Sequence, residues 1–181
     1  MLKTIKIVGV PGVGKSTLIA KLLKINPKFK SANYADFLQR ASDLTRDQLY
    51  LSAPANYRLA DKLFKKFLKR YKRRNILILI DEHLEIGDWQ KLTRAYREEN
   101  TIGIIFLIAD PREILNRRGK DKTRYRPIQS LQEIKQSQQK IKHTVEQLAQ
   151  KLKIPLFVLE NKNLKETVRF ALCFIRQITG G

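Results

Sequence analysis

The feature that most constrains this chain is a glycine-rich stretch close to its start. Residues 9–17 read GVPGVGKST and fit the pattern G-x-x-x-x-G-K-[ST]. Apolar residues typical of a buried strand precede the stretch, and residues typical of a helix follow it. This context predicts a P-loop, in which backbone N–H groups at a helix amino terminus converge on an anion. We therefore expect the chain to bind a nucleoside triphosphate.

Two side chains of the loop are expected to take part in the chemistry. Lys15 would reach the outer phosphates as a catalytic residue, and the Ser16 hydroxyl would ligate Mg²⁺. The glycines permit the tight turn on which the anion site depends. The expected nucleotide-binding residues of this segment are Gly9, Pro11, Gly12, Val13, Gly14, Lys15, Ser16 and Thr17.

The charge of the chain is strongly positive. Its 181 residues include 37 Lys and Arg against 17 Asp and Glu, a formal net charge of +20. Such a field attracts polyanions, and nucleotide phosphates account for only part of it. RNA or DNA is therefore a candidate partner. The alternative is a lysine-rich surface of the kind found in heat-adapted proteins.

Composition also excludes several classes of protein. No apolar run approaches the ~18 residues that cross a bilayer, and the first strand begins too early to leave room for a signal peptide. Cys173 is the only cysteine and cannot form an internal disulfide. We expect it to be a core thiol on the apolar face of the last helix. These features predict a cytoplasmic protein with no membrane contact.

Strands and helices alternate along the chain, which predicts a single α/β domain with a parallel sheet. The apolar run at residues 75–80 is uninterrupted, as in a central strand covered on both faces. Several cap signals, such as Thr45 with Gln48 and Ser130 with Glu133, mark helix starts. We expect strands near residues 5–8, 29–34, 75–81, 101–109 and 154–159, and helices over 15–24, 36–41, 54–72 and after residues 45, 88, 110, 130 and 163.

Asp81 closes the apolar run in the position of a Walker-B acid. Such a carboxylate holds the Mg²⁺ shell, here through water, although Asp81 could also simply cap its loop. Glu82 is a candidate for polarising water in ATP hydrolysis. His83 is a candidate for positioning substrate, or for titration near neutral pH. Both can equally be exposed loop residues, so the sequence leaves their roles open.

Arginines cluster after the fourth predicted strand. Arg117 and Arg118 end a predicted helix, and Arg124 and Arg126 follow a loop that contains Gly119. Arginine suits bidentate phosphate contacts and the neutralisation of charge in phosphoryl transfer. The arrangement favours a lid that closes over phosphates, with a solvated basic loop as the alternative.

A kinase that acts on a nucleotide needs a second anion pocket for the acceptor. Arg46, Arg40 and Arg58 compete for this role, and Arg46 is preferred because it starts a predicted helix. Residues 62–74 form a basic amphipathic helix that suits RNA, DNA or an acidic surface, or that is simply solvated. His143 is expected to be a surface residue.

Several motifs together give the chain a family resemblance. They are GVPGVGKST at 9–17, NYADF at 33–37, TRDQ at 45–48, IDEH at 80–83, RRGKDKTRYR at 117–126 and ENKN at 160–163. In this order they resemble the archaeal-type adenylate kinases and, more distantly, the nuclear adenylate kinase/ATPase family linked to ribosome assembly. The D-x-H element and the arginine-rich lid are the most specific of these motifs.

The resemblance implies a three-layer α/β/α P-loop NTPase fold with a five-stranded parallel sheet. It places an NMP-binding helical region at residues 33–73 and a short lid at 117–127. It also implies that Arg46 holds the acceptor phosphate, that Arg117 or Arg118 flanks the donor, and that Asn161 borders the donor adenine. By the same resemblance, Arg124 and Arg126 clamp the transferred phosphoryl group, and His83 belongs to the nucleotide site.

The implied reaction is ATP + AMP ⇌ 2 ADP with Mg²⁺. The acceptor oxygen is already anionic, so positioning and charge neutralisation can supply most of the rate. The acid at Glu82, Pro127 at the end of the lid and the basic surplus depart from the family pattern. They leave open another monophosphate acceptor or a nucleic-acid- or ribosome-associated ATPase. Relatives of this type are often trimeric, so a homo-oligomer is a further expectation.

Overall fold

One sheet of five parallel strands organises the protein. The computed structural model describes residues 2–84, 88–121 and 129–180, without the side chains at positions 46, 47 and 50. The strands run in the order β2-β3-β1-β4-β5, so the strand that leads into the P-loop is central. The predicted five-stranded parallel sheet is confirmed. Its strands are β1 (Lys3–Val8), β2 (Lys30–Asn33), β3 (Leu77–Glu82), β4 (Thr101–Ile108) and β5 (Leu156–Glu160).

Helices cover both faces of this sheet. On β3, Leu77 and Leu79 face the core that includes the first helix, whereas Ile78 and Ile80 pack against the third. Alternate residues of a strand point to opposite faces, so these two helices lie on opposite sides. The helices are α1 (Lys15–Ile25), α2 (Tyr34–Ser42), α3 (Pro54–Tyr71), α4 (Trp89–Glu98), α5 (Pro111–Lys120), α6 (Leu131–Leu152) and α7 (Leu164–Thr179), with a 3₁₀ helix at Arg46–Leu51.

Side-chain caps fix where several of these helices begin. The side chains of Asp88, Asp110 and Asn163 accept hydrogen bonds from the first-turn N–H groups of α4, α5 and α7. Ser130 and Glu133 form the predicted capping box of α6. A cap satisfies N–H groups that have no partner within the helix, which is why these boundaries can be predicted from local sequence.

The predicted core thiol is wrong, because Cys173 is exposed. Apolar residues of α7 fit more than one helical stripe, and the buried stripe includes Ala171 and Phe174. Leu59 on α3 and Leu131 on α6 are also exposed, over 45% and 40% of their surfaces. In each helix, smaller or neighbouring residues pack against the sheet instead.

The described ranges, residues 2–84, 88–121 and 129–180, contain seven α-helices and one 3₁₀ helix. None of the helices in those ranges combines the length and the apolar character that a membrane span requires.

Candidate active site

The P-loop lies at the carboxyl end of β1 and leads directly into α1. Gly12 and Gly14 adopt φ values of 85° and 108°, a region that glycine enters without strain. A Cβ at Gly12 would lie 2.9 Å from Cγ of Arg118, and one at Gly14 would collide with the Asn161 amide. The loop therefore needs glycine both for its turn and for the close approach of two side chains from later elements.

Lys15 is buried beneath this loop. Its Nζ donates a 2.8 Å hydrogen bond to the Gly9 carbonyl oxygen and lies 3.7 Å from Oδ1 of Asp81. Only 4% of Lys15 and 4% of Asp81 are exposed, so each charge depends on the other for compensation. Lys15 and Asp81, which the sequence assigns separately to the phosphates and to the Mg²⁺ shell, thus lie next to each other.

Strand register brings three side chains together at this end of the sheet. Asp81 pairs with Ile7 of β1 on one side and with Asn33 of β2 on the other. The Ser16 hydroxyl donates to Oδ2 of Asp81 at 2.8 Å, and the Asn33 amide donates to the same oxygen at 3.4 Å. Asp81 thus contacts the P-loop serine and the end of β2 and does not only cap a loop.

The chemistry of these donors fits Mg²⁺. A hydroxyl and a carboxylate are hard oxygen ligands of the kind that magnesium prefers, and the ion retains several waters. Asp81 Oδ1 is buried, and none of the described residues donates a hydrogen bond to it. Ser16 and Asp81 are therefore the residues suited to hold the ion. When bound, Mg²⁺ would neutralise phosphate charge.

Two arginines of α5 reach the outside of the P-loop. Arg117 donates to the Val13 carbonyl at 3.2 Å and pairs with Glu113 at 2.5 Å. Arg118 donates through Nε to the Pro11 carbonyl at 2.8 Å, and its Nη1 donates to Gln129. Backbone carbonyls of the loop thus hold both guanidinium groups next to the phosphate-binding turn.

Asn161 lies behind the loop at the end of β5. Its amide Nδ2 donates to the Val13 carbonyl at 2.8 Å, and its Oδ1 accepts from the Thr167 hydroxyl at 3.2 Å. Its backbone N–H donates to the Ile108 carbonyl at 2.8 Å. Asn161 is 7% exposed, so its polar atoms are used inside the protein. The structure therefore gives Asn161 a role in holding the P-loop in place.

Glu82 faces away from Asp81, because consecutive strand residues point to opposite sides of the sheet. Its Oε2 lies 3.1 Å from Nζ of Lys6, which also pairs with Glu99 and lies 4.7 Å from the centre of the Tyr96 ring. Burial alone would lower the pKa of Lys6, but Glu82 and Glu99 outweigh it and raise that pKa. Burial raises the pKa of Glu99 and also that of Tyr96. Glu82 is thus bound into a buried charge cluster.

A cleft opens beside Ser16 and Asp81. It has a volume of about 310 Å³ and lies between α1, β2, α2 and α3, with Arg40 and Phe67 in its wall. The Arg40 guanidinium lies 5.9 Å from the centre of the Phe37 ring. The cleft therefore opens directly at Ser16 of the P-loop, and its charged lining residues are Arg40, Asp36 and Asp81.

The remaining predicted residues are only partly placed. Arg124 and Arg126 lie outside the described residues, as does most of the predicted lid. The backbone of Arg46 begins the 3₁₀ helix, but its side chain is not described. His83 is exposed directly after β3, and Ser16 and Thr17 are exposed at the start of α1.

Sequence reasoning missed three residues of the site: Asn33, Gln129 and Thr167. Asn33 depends on the register between β2 and β3, which no local pattern encodes. Gln129 and Thr167 act through contacts with Arg118 and Asn161. In the sequence, the motif NYADF contains Asn33, and the motif ENKN shortly precedes Thr167. These two motifs are the sequence features that could have indicated the residues.

A P-loop that faces a buried acid, two arginines on the loop and an adjacent cleft that contains Arg40 define a P-loop phosphotransferase. Comparison with known proteins agrees, since residues 8–135 match the family described as AAA domain. An adenylate kinase of Methanocaldococcus jannaschii is 35% identical over 73% of this chain and 76% of its own length. An adenylate kinase of Methanothermobacter thermautotrophicus is 30% identical over 76% of this chain and 79% of its own length. The chain belongs to the archaeal-type adenylate kinase family.

Solved structures agree on the fold. A shikimate kinase from Acinetobacter baumannii in complex with shikimate aligns with a TM-score of 0.63 at 17% identity, over 99% of this chain and 94% of its own. A shikimate kinase from Bacteroides thetaiotaomicron aligns with a TM-score of 0.59 at 14% identity, over 96% of this chain and 98% of its own. At these identities the similarity establishes a shared P-loop kinase fold and nothing finer.

Proposed function

We propose that this protein transfers the γ-phosphoryl group of ATP to AMP. The observation that carries the proposal is the cleft of about 310 Å³ next to Ser16 and Asp81, because a second nucleotide there would meet the donor at the phosphate end of the P-loop. An acceptor phosphate oxygen attacks the γ-phosphorus of ATP, and the bond between the γ-phosphorus and the β–γ bridging oxygen breaks. Two ADP molecules result, and no general base is needed because the attacking oxygen is anionic.

The donor side rests on the P-loop contacts. In the structure, Nζ of Lys15 donates a hydrogen bond to the Gly9 carbonyl. On binding of ATP, Nζ would leave this carbonyl and contact the outer phosphates. Arg118 would neutralise charge on the transferred group, and Arg117 would flank the donor. Magnesium would be held by Ser16 directly and by Asp81 through water. These roles agree with the need for positioning and charge neutralisation in phosphoryl transfer.

The acceptor side rests on Arg40 together with Arg46. Arg40 lines the cleft, and Arg46 is proposed from its position at the start of the 3₁₀ helix that follows α2. Both would bind the acceptor phosphate within the NMP-binding region at residues 33–73. The lid at residues 117–127 would bring Arg124 and Arg126 onto the transferred phosphoryl group.

The test is a coupled assay with ATP and each nucleoside monophosphate in turn. We expect ADP formation to depend on the acceptor, with AMP giving the highest kcat/KM, and to be lost in Lys15→Ala. Formation of ADP at the same rate without any acceptor would instead support an ATPase.

That alternative, a nucleic-acid- or ribosome-associated ATPase, rests on the exposed basic residues of α3. It would require stimulation of hydrolysis by RNA or DNA.

Two further expectations accompany the proposal. The sequence favours action in the cytoplasm. Family resemblance favours a homo-oligomer such as a trimer, which sedimentation of the purified protein would test.

A further inference from the structure

A second cleft shares no lining residue with the cleft beside Ser16 and Asp81. It has a volume of about 690 Å³ and runs between α3 and α4, reaching Leu2 just before β1 and Asn100 just before β4. Both residues mark the amino ends of parallel strands, whereas the P-loop and Asp81 lie at the carboxyl ends. No step of the proposed phosphoryl transfer uses this cleft, which we call the α3–α4 groove.

Basic side chains line both walls of the groove. Lys65, Lys69 and Lys72 come from the α3 side, and Lys91 and Arg94 from α4. The three lysines are spaced at i, i+4 and i+7, so they form one stripe that is roughly 10 Å long. Among the side chains that the structure describes, Lys69, Lys72 and Arg94 have no carboxylate within 4 Å.

The acidic residues in the groove are already engaged. Glu99 pairs with the buried Lys6, and Glu98 lies 3.8 Å from Lys65. Asp61 accepts a 2.6 Å hydrogen bond from the Tyr34 hydroxyl. The Tyr34 hydroxyl is neutral and leaves the charge of Asp61 in place, and Glu98 offsets Lys65. With five cations against three carboxylates in its lining, the groove keeps a net positive charge.

The floor of the groove is apolar and is formed by Leu2, Phe64, Leu68 and Ala95. Phe64 is 8% exposed, and its ring packs edge-on against Phe37 at 5.4 Å and against Tyr34 at 6.2 Å. Single-stranded nucleic acid binds through aromatic faces on which bases stack. The ring of Phe64 is buried, and the ring of Tyr34 packs on it while the Tyr34 hydroxyl donates to Asp61. An apolar floor between cationic walls instead complements a ligand with an apolar face and acidic flanks.

We propose that the α3–α4 groove binds an acidic amphipathic helix of a partner protein. Apolar side chains of the partner would pack on the floor, and its carboxylates at i, i+4 and i+7 would meet the lysine stripe of α3. The acidic flanks of such a helix complement the unpaired cations and would steer its association. This inference is independent of the phosphoryl acceptor, because the groove shares no lining residue with the cleft proposed for the acceptor.

The probe is a fluorescein-labelled helical peptide of about 18 residues with leucines on one face and glutamates on the other. Binding to the full chain is measured by anisotropy at about 0.15 M salt. A peptide of the same composition in scrambled order and a labelled single-stranded RNA of similar length are the comparison ligands. The groove variant is Lys69→Glu with Arg94→Glu. Its matched control is Lys62→Glu with Lys66→Glu, which changes charge equally on exposed positions of α3 outside the groove.

We expect saturable binding of the amphipathic peptide, reduced about tenfold or more in the groove variant and by less than about threefold in the control. The scrambled peptide should bind about tenfold more weakly. Thermal midpoints of both variants should equal that of the unmodified protein, which separates lost binding from lost folding. The proposal is overturned if binding of the peptide does not saturate, or if both double variants weaken peptide binding equally. It is also overturned if the groove variant weakens the binding of RNA but not that of the peptide.

Discussion

The amide Nδ2 of Asn161 donates a 2.8 Å hydrogen bond to the carbonyl oxygen of Val13, which joins the end of β5 to the P-loop. Asn161→Asp keeps the size of the side chain but removes this donor and places an acidic oxygen against a carbonyl. We expect the KM for ATP to rise about tenfold and the free energy of unfolding to fall by about 1–3 kcal/mol. Steady-state kinetics and urea unfolding measure both effects.

Asn75→Asp is the matched control for that substitution. Asn75 is exposed ahead of β3, so the same chemical change is made far from the loop. We expect it to leave both quantities within error. An unchanged KM for ATP in Asn161→Asp, with stability alone reduced, would show that the bond supports the fold and not nucleotide binding.

Asp81 and Glu82 are adjacent acids with opposite surroundings, which makes a direct comparison possible. Asp81→Asn removes the charge next to Ser16, and we expect a fall in kcat of about 10²-fold with a shift of the Mg²⁺ dependence to higher concentration. Glu82→Gln alters the contact with Lys6 on the other face of the sheet. It should reduce thermal stability but leave the Mg²⁺ dependence unchanged. Equal shifts in both variants would contradict the assignment of the metal site to Asp81.

Much of this architecture could be predicted because its signals are local. The P-loop motif, the apolar run before Asp81 and the helix caps each depend on a few consecutive residues. Asn33 escaped prediction because its place beside Asp81 depends on strand register. The burial of Lys6 was not predicted, because the residues next to it in the sequence do not show that Glu82 and Glu99 will compensate its charge. Cys173 was misassigned because helical periodicity leaves the rotation of an apolar stripe uncertain by about one residue.

The buried cluster of Lys6 predicts a pH-dependent stability defect. Lys6→Met leaves Glu82 and Glu99 buried without their cation, which should cost about 3–5 kcal/mol of folding free energy at neutral pH. Burial already raises the pKa of Glu99, and loss of Lys6 raises it further. The folded variant then binds a proton before the unfolded chain does, so its stability should recover as the pH falls toward the ordinary carboxyl value.

Urea unfolding of Lys6→Met from pH 7 to the ordinary carboxyl range measures this recovery. Lys3→Met on the same strand is the control, since Lys3 is only half-buried and forms no such cluster with the side chains that the structure describes. Its effect should be small and independent of pH over that range. A defect in Lys6→Met that stays constant with pH would mean that lost packing, and not an uncompensated carboxylate, is responsible.

The position of Arg40 in the wall of the cleft separates acceptor binding from donor binding. Arg40→Ala removes a cation that would contact the acceptor phosphate, and a charged hydrogen bond of this kind contributes about 1.5–3 kcal/mol. We expect the KM for AMP to rise about 10- to 100-fold while the KM for ATP changes less than about twofold. Arg58→Ala removes the same charge from an exposed position of α3 that does not line this cleft and should leave both constants unchanged. A larger rise in the KM for ATP than for AMP in Arg40→Ala would place Arg40 on the donor side and would leave Arg46 as the acceptor residue.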